Sequence, residues 1–326
     1  MRSAKFWIDG VTYNIGKDTQ NTKNFKTETA EGKISTKFRL PTAYYHKIYN
    51  DPKFNLSRIK KTNSTEVLLP KEGNDGDVII TGDNINEVAD AREEFHLLLQ
   101  SIRSKIPPRQ FISIPTLSDE VKNNFKQFKD ELLNREASIP NLDESVFQKP
   151  EKLHITVCVF ALLDQVEIDE AIKSLHELKE KIVAPYFNNT PAQIRLKGIS
   201  CMDTNLKRTN ILYANASLVD ETVDYNLQTV GNKMAEFFYN KGFMKELRDS
   251  VKIHVTLINT KYRKSSNSQK KHWKKRIPID ATAIMQDYKD YDFGICNFDT
   301  FHLSLMSSNS KSENGFYTPL SIAELT

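Results

Sequence analysis

Lys152-Leu153-His154-Ile155-Thr156-Val157 and Lys252-Ile253-His254-Val255-Thr256-Leu257 are one six-residue phrase written twice. In each copy apolar residues alternate with His and Thr, the period of a half-buried β-strand that sets both polar groups on one face. Two such strands can aim two imidazoles at one substrate. Two histidines, one acting as base and one as acid, suffice to move a phosphoryl group between oxygens without a metal or covalent intermediate. A third His-x-Ser triplet, His302-Leu303-Ser304, shows that the bare triplet is weak; the shared frame of Lys, apolar, His, apolar, Thr, apolar sets the first two apart. Neither strand carries a second His at i+2 or i+4, which argues against metal ligation. No metal or cofactor is expected.

Around these phrases lies the composition of a soluble globular protein. With 326 residues, 39% hydrophobic and 27% charged, the chain has room for two domains with separate cores. The longest uncharged apolar run, Leu153 to Leu163, is too short to span a membrane, and no signal-peptide region is read at the N-terminus. Cys158, Cys201 and Cys296 are widely spaced and odd in number, as expected in the reducing cytosol or nucleus rather than in a disulfide framework or zinc site. Net charge is only +4, yet the stretch from Lys261 to Arg276 holds eight Lys or Arg and no acid. Three readings of it stay open: a solvated loop, an electrostatic collar for a phosphate-bearing ligand or RNA with Trp273 and Tyr262 for stacking, and a nuclear import signal.

Residues 1–32 are polar apart from Phe6, Trp7, Ile8 and Tyr13, a patch that either folds back on the protein or reaches a partner. From 33 to 106 the expected order is strand (Lys33–Leu40), helix (Thr42–Tyr49), helix (Asn55–Thr62), strand (Glu66–Leu69), strand (Asp77–Thr81), and a helix capped by Asn84 running to about Arg103. That βααββα order resembles a KH domain, a single-stranded nucleic-acid binder. The Gly-x-x-Gly loop that lets phosphate approach the backbone is replaced by Asn50-Asp51-Pro52-Lys53, so a degenerate, weakly binding KH fold is expected. Lys47, Lys53, Arg58, Lys60 and Lys61 leave room for a weak electrostatic contact or form an ordinary solvated face.

Ile106-Pro107-Pro108 marks the next boundary, and residues 107–326 form the second expected domain. Strands are expected at Gln110–Pro115, Lys152–Phe160, Gln193–Ser200, Asn210–Leu218, Val251–Asn259 and Thr300–Met306. Helices are expected through Val121–Leu133, Ile168–Val183 and Val223–Tyr239. The two motif strands fall in similar settings, which suggests two related lobes across a groove.

On these motifs the second domain resembles the two-histidine (2H) phosphoesterase superfamily, in its branch shared with the kinase-anchoring protein seven-like domain. The Ile8-to-Tyr13 segment, the KH-like order and the extended second motif through Lys264 together resemble the subunit-one family of the activating signal cointegrator complex. The resemblance implies a mixed α/β (α+β) fold, bilobal, with antiparallel sheets around a central cleft. It implies His154 and His254 as the acid–base pair, Thr156 and Thr256 as donors to phosphate oxygens, Arg263 and Lys264 as phosphate contacts, and His302 with Ser304 in support. It implies an RNA or nucleotide ligand, docking of an ASC-type helicase subunit on Phe6, Trp7, Ile8 and Tyr13, and a nuclear role in transcription coactivation, alkylation-damage repair and ribosome rescue. A non-enzymatic adaptor that binds a phosphate-bearing ligand without turnover is the competing expectation.

Overall fold

The computed structural model describes residues 4–8, 11–15, 26–30, 32–50, 56, 59, 64–74, 76–135, 138–188, 190, 192–263, 276–307 and 312–325. It divides into two compact units. One comprises Met1–Arg109, Phe160–Ser174 and Glu236–Leu247; the other comprises Gln110–Val159, Leu175–Ala235 and Arg248–Thr326.

In the first unit, β1 (Ala4–Ile8) and β2 (Val11–Ile15) pair as an antiparallel hairpin with Phe6 opposite Tyr13. The side chains of Phe6, Trp7, Ile8 and Tyr13 lie outside the described structure. An antiparallel sheet follows, of β3 (Glu28–Ala30), β4 (Lys33–Arg39), β5 (Glu66–Leu68) and β6 (Asp77–Gly82), in the order β3-β4-β6-β5. The β-branched run Val78-Ile79-Ile80-Thr81 favours an extended backbone and buries alternate residues, Val78 and Ile80. They share a core with Phe38, Tyr44 and Tyr45 and with the inner face of the long helix, Val88, Phe95 and Leu99. The helices are α1 (Thr42–Asn50) and α2 (Ile85–Arg103). Asn84 caps α2 as expected, its side chain accepting from the amides of Asn86 and Glu87 at 3.0 Å each. The expected helix from Asn55 to Thr62 falls mostly outside the described residues; the two described within it, Leu56 and Ile59, are helical, and Ile59 is buried. Asp51, Pro52, Lys53, Arg58, Lys60 and Lys61 also lie outside them; Lys47 is exposed on α1.

A buried ion pair ties the later segment 160–174 into this unit. Arg103, at the end of α2, grips Glu167 with both nitrogens (2.6 and 2.9 Å) and also donates to the carbonyl of Ala161 at 3.0 Å. The side chains are 12% and 2% exposed.

The chain from Gln110 builds β7 (Gln110–Pro115), α3 (Asp119–Leu133), β8 (His154–Phe160), α4 (Gln165–Leu178), β9 (Ala192–Cys201), β10 (Ile211–Leu218), α5 (Leu227–Asn240), β11 (Val255–Asn259), α6 (Thr282–Tyr288), β12 (Asp292–Phe298), β13 (Thr300–Leu305) and β14 (Pro319–Glu324). Among the described residues the strands form one sheet in the order β12-β9-β10-β11-β8-β7-β13-β14. Its register pairs are antiparallel, and β7 and β8 are bonded through the Thr116 amide and Leu153 carbonyl at 3.1 Å. The bilobal α/β arrangement is present as two four-stranded halves. They join where β8 meets β11 at one register pair, Ile155 opposite Val255. Helix α3 buries Val121, Phe125, Phe128 and Leu132, the face its spacing predicts. Gly294, at φ +98°, lets β12 approach that helix: the Ile295 amide donates to Glu120 at 3.1 Å and Ser118 donates to the Ile295 carbonyl at 2.7 Å.

Several expected elements are corrected. The motif strands start at His154 and Val255 rather than at Lys152 and Val251, because Pro150–Lys152 forms a 3₁₀ turn and the backbone of Val251 bonds to helix side chains instead of a strand. Helix α5 starts at Leu227 rather than Val223, since Asn226 caps it by accepting from the Thr229 amide at 2.7 Å. The helix expected over 168–183 is α4 followed by a π turn at Lys179–Val183. β3, β12, β14 and α6 were not expected: β3 is only three residues long, and the patterns of β12, β14 and α6 are interrupted by Asp292 and Gly294, by Pro319 and by Asp287.

Candidate active site

The two histidine phrases come together through the central register pair. With Ile155 opposite Val255 in an antiparallel pair, His154 stands opposite Thr256 and Thr156 opposite His254. Ile155 and Val255 are fully buried on the other face, which leaves the four polar side chains in a square on one side of the sheet. A cleft of about 660 Å³ opens beside it, lined by His154, Thr156 and Thr256, by the aromatic rings of Phe111, Phe147, Tyr262 and Tyr317, and by Lys149, Lys152 and Lys261; His254 is not among these lining residues. No Asp or Glu is among its described lining residues. Two threonine hydroxyls and one imidazole in a cleft lined also by three lysines and flat aromatic rings match a phosphate ester attached to a planar ring.

Both imidazoles are held the same way. His154 Nδ1 donates to the Lys152 carbonyl at 2.7 Å, and His254 Nδ1 donates to the Lys252 carbonyl at 2.6 Å. A carbonyl only accepts, so each neutral ring carries its proton on Nδ1 and offers Nε2 as a base. The Nε2 of His154 accepts from the Thr156 hydroxyl at 3.1 Å. Burial pushes His154 down to about 4, with the charges of His254 and Lys152 acting in the same sense against the carbonyl bond. Burial lowers His254 as well, with Lys252 assisting. His154 packs against Phe111, Phe316 and Tyr317 at ring separations of 5.2, 6.1 and 5.2 Å, whereas His254 meets Tyr213 at 5.3 Å.

Helix α5 positions His254, although residues 251–254 precede the strand. Gln228 Nε2 donates to the Val251 carbonyl at 2.8 Å, and the Val251 amide donates to Asn232 Oδ1 at 2.8 Å. Gly231 leaves a notch for Ile253, whose Cδ1 would lie 2.8 Å from a Cβ there. Nothing in the local sequence near His254 announces these partners.

The remaining expected site residues divide. Arg263 does not line the cleft: its guanidinium pairs with Asp143 and donates to the Asn141 carbonyl at 2.5 Å, bracing that loop. The basic residues that line the cleft are Lys149, Lys152 and Lys261, of which Lys261 alone belongs to the basic stretch read as a collar for a phosphate-bearing ligand. Lys264 and Trp273 lie outside the described residues. His302 sits on β13 opposite Ser113, its Nε2 bonded to Thr300 at 3.2 Å and its ring 5.5 Å from Phe316. Burial pushes it down to about 4. It and the fully buried Ser304 do not line the cleft.

Known proteins are similar to this chain. The chain is 27% identical over 274 residues to activating signal cointegrator 1 complex subunit 1 of Mus musculus, covering 81% of this chain and 76% of that protein. Solved structures similar to it include TT0787 of Thermus thermophilus (18% identity, 67% of this chain and 97% of that one, TM-score 0.40). Escherichia coli LigT complexed with 3'-AMP is another (14% identity, 68% and 99% coverage, TM-score 0.40). A family model described as the AKAP7 2'5' RNA ligase-like domain matches residues 108–325, a span that takes in both histidine phrases, the cleft and most of the sequence. The chain belongs to the AKAP7 2'5' RNA ligase-like domain family.

Proposed function

We propose that residues 107–326 form a metal-independent phosphodiesterase acting on RNA ends or small nucleotides, with His154 and His254 as its acid–base pair. The observation that carries this reading is the register that sets each histidine opposite the other copy's threonine, with His154, Thr156 and Thr256 lining a cleft that also carries three lysines. His154, held neutral by its aromatic surroundings, is the base: its Nε2 takes the proton of a water or ribose hydroxyl, whose oxygen attacks phosphorus. The bond from phosphorus to the departing oxygen breaks, and protonated His254 delivers a proton to that oxygen. Thr156 and Thr256 donate to the non-bridging oxygens while Lys149, Lys152 and Lys261 offset the charge that builds there.

A non-turnover phosphate-binding adaptor is the second reading. It is favoured by the lowered pKa of both imidazoles, which leaves little imidazolium to serve as acid at neutral pH. The test is incubation of the purified chain, with chelator, with 2',3'-cyclic nucleotides and short oligoribonucleotides beside His154→Asn and His254→Asn. Turnover lost in both variants supports the enzyme. Tight binding without turnover, or turnover unchanged by the substitutions, overturns it.

The chain as a whole we assign to a nuclear, helicase-containing complex; the support is that the mouse relative is by name a subunit of a cointegrator complex. Residues 33–106 serve there as a degenerate KH-like domain with little RNA affinity, and the 1–32 segment as the contact with the helicase. Trp7→Ala with Tyr13→Ala is expected to weaken a helicase pull-down while residues 107–326 stay folded; an unchanged pull-down refutes the assignment.

A further inference from the structure

The repeated phrase includes a lysine two residues before each histidine, and acid–base chemistry alone gives no reason for it. The structure surrounds both lysines alike. Lys152 Nζ lies over the ring of Tyr317 at 4.2 Å, and Lys252 Nζ lies over the ring of Tyr213 at 5.1 Å. Each of those rings meets the imidazole of its own copy edge to face: Tyr317 with His154 at 5.2 Å and 81°, Tyr213 with His254 at 5.3 Å and 73°. The carbonyl of each lysine takes the Nδ1 proton of the same imidazole. The tyrosines arrive by different routes. Tyr213 is on β10, opposite Thr256, and Tyr317 is in the loop before β14. One arrangement built twice from unlike elements points to a shared task.

We propose that Tyr213 and Tyr317, each clamped by the ammonium of a motif lysine, are positioning residues that fix the two imidazoles in the Nδ1–H form with Nε2 left for the ligand. The ring of His254, held through Nδ1, can still swing about that bond, and the ring of His154 is held besides by the Thr156 hydroxyl, which itself rotates; turning either ring would break the 2.6–2.7 Å contact and exchange the tautomer. The tyrosine ring blocks the swing, and the lysine keeps the tyrosine from leaving. The inference rests on the two-histidine reading of the cleft, yet it is tested in the free protein, so absence of turnover does not decide it.

The readout is the long-range proton–nitrogen correlation spectrum of the labelled full chain at neutral pH, which reports which ring nitrogen carries the proton. In the unaltered chain both histidines are expected as Nδ1–H. Tyr213→Leu should give His254 a mixture of tautomers and leave His154, the internal control for folding, unchanged; Tyr317→Leu should do the reverse. Tyr213→Phe keeps the ring and should keep the tautomer. Lys252→Met alters an exposed residue, and should shift His254 in the same direction as Tyr213→Leu, which maintains the test if that buried substitution unfolds the chain. Where turnover is found, kcat should fall about tenfold in Tyr213→Leu with KM little changed, since Tyr213, unlike Tyr317, does not line the cleft. Folded Tyr213→Leu or Lys252→Met chains with His254 still purely Nδ1–H would overturn the proposal, whatever the activity.

Discussion

The charge state of His154 offers the sharpest test of the site, because its low pKa is also a statement about stability. The imidazole falls from 6.5 to about 4 on folding, through burial first and the neighbouring His254 and Lys152 charges second. The folded state therefore binds fewer protons than the unfolded one between these values. Stability from this residue is complete above the unfolded pKa and is lost as pH falls toward 4. Full protonation would cost about 3 kcal/mol, and at about pH 5 the loss would be about 2 kcal/mol. Solvent reaching the open side of the cleft reduces the expected figure to about 1–2 kcal/mol. Urea unfolding of the chain and of His154→Asn at pH 7 and pH 5 should show the variant losing less stability on acidification by that amount. Direct titration of the imidazole should give a midpoint near 4. Equal acid sensitivity of the two chains, or a midpoint near 6.5, would mean that the aromatic pocket does not desolvate the ring.

Other consequences can be checked independently. Glu167→Ala strands the buried guanidinium of Arg103 and should cost about 3–5 kcal/mol, while Arg103→Met with Glu167→Leu should recover most of it; additive losses in denaturant titration would deny the coupling. Gly294→Ala places a Cβ 2.4 Å from Glu120 at a φ of +98°, so unfolding should move by at least about 2 kcal/mol; a neutral result would mean that β12 relaxes away from α3. Burial pushes the Cys158 thiol well above its usual range and Cys296 up to about 12, so at pH 8 an alkylating reagent should modify the half-buried Cys201 first. Mass spectrometry showing Cys158 modified first would contradict its placement.

Much of this fold was legible because its signals are local. The alternation of Val78-Ile79-Ile80-Thr81 and the cap at Asn84 depend on neighbours a few residues away, and both appear where they were read. So did the buried face of α3. The short strands β12 and β14 were missed because they are held by pairing with β9 and β13 rather than by their own pattern. Residues 251–254 carry strand alternation, yet Val251 at their head is held by Gln228 and Asn232, a helix contact that period alone does not encode.

By itself the sequence determined that each histidine shares a strand face with its threonine, since side-chain direction alternates with every residue whatever the partner. Which face meets which was decided by the tertiary structure. Placing Ile155 opposite Val255 brings two phrases distant in sequence into one square, and a slip of one residue would have turned the histidines away from each other. The tertiary structure also committed Arg263 to Asp143 and set Lys149 and Lys261 around the cleft in its stead. It brought Tyr213 and Tyr317 to the imidazoles from positions with no common motif, because ring packing depends on distance in space and leaves no periodic mark along the chain.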